Sequence, residues 1–218
     1  NKMQTYFFQK SVMKIYQWAA ESLYHRFAWA YDIVAWLVSF GYWSQWRRDA
    51  LGYLIPGRVL ETGFGTGSLL IEMAQRGMDV VGLELSNQMH QITQGKLNGK
   101  GLAIKRVRGR IQNLPFYSSA LENVLSTFPT NYIFHPNSLR EVHRILFLHG
   151  RWVITGVGVQ FKSAWKHFFV GWFLGGGENP WMEDFIQQAQ QSGFQVRVKH
   201  HESSAYILPI IILEKQDA

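Results

Sequence analysis

The sequence predicts an α/β fold: a doubly wound, mostly parallel sheet of seven strands with an antiparallel C-terminal hairpin and a helical N-terminal cap. Three observations predict it. Residues 58–67, Arg-Val-Leu-Glu-Thr-Gly-Phe-Gly-Thr-Gly, carry a short apolar run into an acid and then into glycines at alternate positions, just ahead of the amphipathic stretch Ser68–Arg76. That is a buried strand, a tight turn and a helix start. From residue 58 to residue 157, strand-like and helix-like runs alternate, which implies parallel strands joined by crossover helices on both faces. Two late strand-like runs, 194–201 and 205–214, are separated only by a polar turn around Ser203-Ser204, too short for anything but an antiparallel pair.

Residues 1–54 read as helical. Phe7, Phe8, Val12, Ile15, Tyr16, Ala19, Leu23 and Phe27 fall at spacings of three and four, one face of a helix. A second helix is predicted over Tyr31–Val38 and a third over Ser44–Leu54, stopped by Pro56-Gly57. This region holds Trp29, Tyr31, Trp36, Phe40, Tyr42, Trp43 and Trp46. It is either a cap packed on the sheet or a lid over a flat, apolar substrate, and the two are compatible. Strands follow at 58–62, 79–84, 102–108, 122–127 and 151–157, and helices at 67–76, 86–96 and 137–147. Residues 161–181 are rich in aromatics and glycine, with Gly175-Gly176-Gly177 and Asn179-Pro180 as breakers. A helix over 180–192 has Gly193 just past its end. The expectation is a single domain, 1–218, with the cap at 1–54 and the core at 55–218.

With 218 residues and 47% apolar content, the chain can bury a full core. It has no cysteine, which excludes disulfides, thiolate nucleophiles and Cys metal sites. No apolar run approaches the roughly 20 residues that span a bilayer, and no signal-peptide pattern opens the sequence, so a soluble, cytoplasmic protein is expected. The net charge of +7 favours an anionic contact or simply a solvated surface.

The glycine turn carries the functional signal. Glycines let backbone approach a ligand closely, and the helix start behind them offers unpaired N–H groups. Glu84, ending the second strand, stands where an acid usually holds a ribose diol. A dinucleotide turn wants G-x-G-x-x-G, and counting from Gly63 the third position is Ser68. The spacing here is acid-x-G-x-G-x-G, with Glu61 two residues ahead of Gly63. A carboxylate beside the turn suits a cationic ligand better than a polyanionic one. A glycine turn without a ligand and a dinucleotide site remain the alternatives.

This motif resembles that of class I S-adenosylmethionine-dependent methyltransferases, and the resemblance runs over about residues 24–158. It includes Gly109-Arg-Ile-Gln-Asn-Leu-Pro-Phe116, Leu121-Glu-Asn-Val124 and Glu141-Val-His-Arg-Ile-Leu-Phe-Leu-His-Gly150, together with Tyr31-Asp32 and Trp46-Arg47-Arg48. The nearest group is the enzymes resembling ubiquinone/menaquinone biosynthesis methyltransferases. The resemblance implies a Rossmann-like sheet, S-adenosyl-L-methionine as cofactor and methyl transfer to a lipophilic or aromatic small molecule, such as a quinone precursor or a lipid headgroup. It implies that Glu61, Thr62, Gly63, Phe64, Gly65, Thr66 and Gly67 form the cofactor turn and that Glu84 takes the ribose hydroxyls. Leu85 and Met89 then lie near the adenine, and Ile111 and Gln112 line its other face. Thr127 and Tyr132 border the methionine end and the substrate, and Tyr31 closes over the cofactor. Arg110 departs from the family's Asp and has no acceptor, so a backbone carbonyl must take over or adenine binding weakens. Glu122 replaces another Asp, and Leu148-His149-Gly150 replaces a Pro-Gly-Gly turn.

His135, ahead of Pro136, is by position the best general-base candidate and equally a helix-start residue. Tyr132 is the other candidate catalytic side chain. His200-His201 point to opposite faces of a strand, and no metal site is expected. The run Lys105, Arg106, Arg108, Arg110 reads as a charged edge strand. Peripheral membrane contact suits a lipophilic substrate, whereas nucleic acid is disfavoured because no RNA-binding signature is present. The alternative function is a non-catalytic module of this fold on an anionic membrane or nucleic acid. An acceptor pocket is predicted between the N-terminal aromatics and segment 158–181, where Trp165, Phe168, Phe169, Trp172 and Phe173 cluster.

Overall fold

A computed structural model describes residues 35–37, 39–163 and 180–217. The predicted helices before residue 35, Tyr31, and the aromatic cluster at 164–179 lie outside the described residues. The elements in order are α1 (Trp43–Asp49), a 3-10 turn (Ala50–Tyr53), β1 (Val59–Thr62), α2 (Ser68–Gln75), β2 (Val80–Glu84), α3 (Asn87–Asn98) and β3 (Lys105–Arg108). Then come β4 (Leu121–Thr127), a 3-10 turn (Asn131–Phe134), α4 (Pro136–Ile145), β5 (Leu146–Thr155), β6 (Gln160–Phe161), α5 (Pro180–Gln191), β7 (Phe194–Glu202) and β8 (Tyr206–Lys215).

The strands form one sheet in the order β3-β2-β1-β4-β5-β8, with β7 on the far side of β8 and β6 beside its first residues. The first five strands are parallel and β8 is antiparallel to its neighbours. The sheet therefore has eight strands among the described residues where seven were expected. The addition is β6, whose two residues pair with Tyr206 and Ile207.

Alternation along the strands divides the core between two faces. Leu60, Val81, Val124, Trp152, Ile154 and Ile211 pack with Leu139, Val142 and Phe185 of α4 and α5. Val59, Val80, Leu125, Val153 and Ile212 pack with Trp43 and Trp46 of α1 and Leu69, Leu70 and Met73 of α2. A strand's period of two produces this division, and both faces are covered because the crossovers lie on both sides.

Several predicted boundaries move, each for a local reason. The expected helix Ser44–Leu54 is α1 plus a 3-10 turn, ending where Leu54 becomes extended at ψ 147°. The strand expected at 102–108 begins at Lys105, because α3 closes through Gly101 at φ 64° with the Leu102 N–H on the Leu97 carbonyl. The helix expected at 137–147 stops at Ile145, and β5 starts at once rather than at 151. Leu146 pairs with Leu121, a bulge interrupts the ladder, and pairing resumes at Asn123 and Arg151. His149 occupies the left-handed region there at φ 61°, a conformation usually left to glycine. The C-terminal turn forms around Ser203, whose Oγ accepts the N–H groups of Ala205 and Tyr206.

Candidate functional site

Strand order reverses between β1 and β4, the switch point at which open α/β sheets bind ligands. The turn Gly63–Gly67 leaves β1 at that point. All three glycines have positive φ, 69°, 53° and 73°, so each requires a residue without a Cβ penalty. Two also stand in close approaches. A Cβ on Gly63 would lie 3.0 Å from the Tyr132 hydroxyl, and one on Gly67 would lie 2.4 Å from Cγ2 of Thr93 on α3.

Glu84 holds this turn in place. Its Oε2 accepts the Gly65 N–H at 3.1 Å and its Oε1 accepts the Ser86 N–H at 2.8 Å, although the side chain is almost wholly buried. The Thr93 hydroxyl donates to the Gly65 carbonyl. Phe64 is buried edge-on to His90, and Thr66 is buried with its hydroxyl beside that of Ser68.

Glu61 is 1% exposed, and its Oε2 has no hydrogen-bond partner among the described residues. Burial pushes its pKa up to about 8; the Arg47 guanidinium pulls it down and Glu84 pushes it further up. An unpartnered buried carboxylate is costly, and it fits a site whose ligand brings a cation.

Beneath the turn, the Trp152 indole N–H donates to Ser126 Oγ at 2.9 Å, and Ser126 Oγ lies 2.6 Å from Thr62 Oγ1. The Tyr132 hydroxyl donates to the Thr62 carbonyl at 3.3 Å. Burial raises the phenol's pKa, so Tyr132 stays a neutral donor. Its own carbonyl accepts from Ser138 Oγ and Gln112 Nε2, which ties the segments after β3 and β4 together.

The other predicted residues are placed as follows. Met89 is buried, with its N–H on Ser86 Oγ, the cap of α3. Leu85 is exposed at 48%, Ile111 is buried, and Thr127 ends β4 half-buried. The Arg110 carbonyl accepts the Asn113 N–H in a local turn. His135 is an exposed helix cap whose Nδ1 accepts the Asn137 N–H at 3.1 Å. That bond makes His135 the N-cap of α4 and leaves Nε2 as the ring nitrogen that carries the proton in the neutral form. β3 is an edge strand, and its Arg106 and Arg108 donate to the carbonyls of His90 and Leu85. Among the described residues, no group of three His, Asp or Glu side chains could hold a metal, and no helix is long and apolar enough to cross a membrane.

Sequence reasoning missed Ser126, Trp152, Thr93 and the wall formed by Trp43 stacked on Phe128 at 3.7 Å. Phe128, directly after β4, has φ 49°. Nothing in their local sequence marks these residues, since each acts through a partner distant in the chain. Trp36 and Leu37, within the predicted cap, are exposed at 57% and 58%.

Residues 59–150 match the family model described as a methyltransferase domain. The chain is 28% identical over 163 residues to the ubiquinone/menaquinone biosynthesis C-methyltransferase of Geotalea uraniireducens, covering 71% of this chain and 69% of that protein. It is 32% identical over 130 residues to the demethylmenaquinone methyltransferase of Thermus thermophilus, covering 57% of this chain and 59% of that one. A similar solved structure is an S-adenosylmethionine-dependent methyltransferase of Thermotoga maritima, a possible histamine N-methyltransferase. Its TM-score is 0.61 at 19% identity, over 88% of this chain and 97% of that one.

Proposed function

We propose that the chain is a class I S-adenosylmethionine-dependent methyltransferase of the group of the ubiquinone/menaquinone biosynthesis enzymes, a reading supported by the methyltransferase-domain match and the similar proteins above, and that its acceptor is a lipophilic or aromatic small molecule of the quinone-precursor type. The observation that carries this reading is the aromatic wall at the carboxyl edge, Trp43 stacked on Phe128 beside the buried ring of Trp46. Phe128 directly follows β4 and is half-buried, so its ring stands at the strand ends where open α/β sheets bind ligands and suits a flat apolar guest. The names of the two curated relatives above support the same substrate class.

The cofactor supplies a methyl group already activated on a sulfonium, so the chain's task is positioning and exclusion of water. Gly63, Gly65 and Gly67, with Thr62, Phe64 and Thr66, shape the turn that receives the cofactor. Glu84 takes the ribose hydroxyls; a carboxylate offers about four acceptor positions, so it can serve both the turn backbone and a diol. Met89 and Leu85 flank the adenine on one side, Ile111 and Gln112 on the other. Thr127 and Tyr132 border the reacting end, with the neutral Tyr132 phenol held there by its hydrogen bond to the Thr62 carbonyl. His135 serves as the cap of α4, and no base role is assigned to it.

The test is transfer of radiolabelled methyl from S-adenosylmethionine to a demethylated naphthoquinone and to a cell extract, with organic and aqueous phases counted separately. Label extracted into the organic phase is the expected result. Label confined to protein, nucleic acid or water-soluble products would refute the substrate class.

A further inference from the structure

Asp49 is placed against the preference of its own helix. It is the last residue of α1, where the partial negative charge of the helix end disfavours an acid. Its side chain is nonetheless only 5% exposed, so tertiary contacts hold it there. Oδ2 accepts the Tyr206 hydroxyl at 3.1 Å, and His201 Nε2 lies 3.5 Å from the same oxygen. Both partners belong to the C-terminal hairpin, Tyr206 at the start of β8 and His201 near the end of β7. Burial pushes the Tyr206 phenol up to about 12, and the Asp49 carboxylate adds to the rise, so the hydroxyl keeps its proton and donates it to the bond.

This contact continues into the aromatic wall. The buried Tyr206 ring packs edge-on against Trp46 at 5.5 Å and against Tyr42 at 5.1 Å. Phe161 of β6 packs against Trp46 at 5.7 Å. Trp46 faces Phe128 at 5.8 Å, and Trp43 stacks on the same ring. Trp43, Trp46 and Asp49 follow one another at spacings of three, along one side of the helix. A tie at Asp49 therefore fixes how α1 is turned about its axis and where the two indoles point. The glycine turn is held from elsewhere, by Glu84 of β2 and Thr93 of α3.

We propose that Asp49 and Tyr206 are positioning residues for the acceptor: their hydrogen bond sets the lie of α1 and so holds Trp43 and Trp46 against Phe128 as the wall on which a flat acceptor stacks. The proposal rests on the reading of that wall as the acceptor's binding surface. Both residues act through the two indoles and not by touching the acceptor.

The experiment compares the wild type with Y206F, D49N, D49A and the double variant Y206F/D49A. Steady-state methyl transfer to the demethylated naphthoquinone, calorimetric binding of S-adenosylmethionine and thermal unfolding are measured for each. Y206F deletes the hydroxyl and keeps the ring. It should raise the KM for the naphthoquinone roughly 10-fold and leave kcat and the cofactor's affinity within about twofold of the wild type. D49N, whose amide oxygen still accepts the hydroxyl, should raise KM less than D49A. The double variant should be no worse than the poorer single one, because both remove the same bond. An unchanged KM in Y206F, additive losses in the double variant, or a cofactor affinity that falls in step with KM would overturn the proposal; the last is general loosening. If D49A does not fold, Y206F and D49N decide by the same criteria. A wild type that transfers no methyl to the naphthoquinone overturns the acceptor reading beneath. The position of the wall is then judged by near-ultraviolet circular dichroism at the tryptophan wavelengths, with W43F as the reference. Y206F should reproduce part of the change that W43F produces, and no shared change overturns the proposal.

Discussion

Replacing Glu61 by glutamine should make the cofactor-free protein more stable and the cofactor weaker. Burial moves the Glu61 pKa from an ordinary 4.5 to about 8, partly opposed by Arg47 and reinforced by Glu84. The folded state therefore holds this proton more tightly than the unfolded chain does. The stabilisation is fully present below the unfolded pKa of 4.5 and is lost as pH rises through about 8. The gap corresponds to roughly 5 kcal/mol at full ionisation, of which about 3 kcal/mol falls between about pH 5 and pH 8. For a chain of this size that amounts to about 6–12 °C in melting temperature. Glutamine has no such titration. Thermal unfolding of cofactor-free wild type and E61Q, followed by circular dichroism across this pH range at fixed ionic strength, should show E61Q gaining over the wild type as pH rises. Histidines and surface carboxylates titrate in both proteins and cancel in the difference. A difference that stays constant across the range would refute the buried, unpaired carboxylate. An E61Q protein that binds S-adenosylmethionine as tightly as the wild type would refute its role toward a cationic ligand.

Glu84→Ala should weaken S-adenosylmethionine by roughly 1–3 kcal/mol in calorimetry, the loss expected for bonds to a charged acceptor, and unchanged affinity would remove the ribose assignment. Gly67→Ala should cost about 1–3 kcal/mol in urea unfolding, because its φ is 73° and its Cβ would meet Thr93 at 2.4 Å. Adding Thr93→Ala should return part of that loss, and full additivity would refute the clash. Trp152→Phe removes the indole donor to Ser126 Oγ, 2.9 Å away in a buried position, and should cost about 1–2 kcal/mol in the same assay.

The turn from β1 into α2 was legible in the sequence because its determinants are local. Three glycines at alternate positions, an acid two residues before them and an amphipathic run after them are each read over a few residues, and so is the acid that ends β2. The strand alternation was legible for the same reason, since apolar periodicity reports which face of an element is buried. Where a local signal was absent, expectation and structure diverge. The start of β5 at Leu146 depends on a pairing with Leu121 and on a register shift taken up by residues 147–150 of β5, and β6 exists only because Tyr206 and Ile207 stand opposite it. The chain from Trp152 through Ser126 to Thr62 joins three strands, and the Trp43–Phe128 stack joins a cap helix to a loop 85 positions on. Arg47 was visible as part of a motif, but its proximity to Glu61 follows from how α1 lies across the sheet edge. By itself the sequence determined which segments are strands and helices, where the ligand turn lies and what charge it carries. Tertiary structure alone decided which buried charges and hydroxyls face one another, because contacts between residues distant in the chain leave no period or spacing in it.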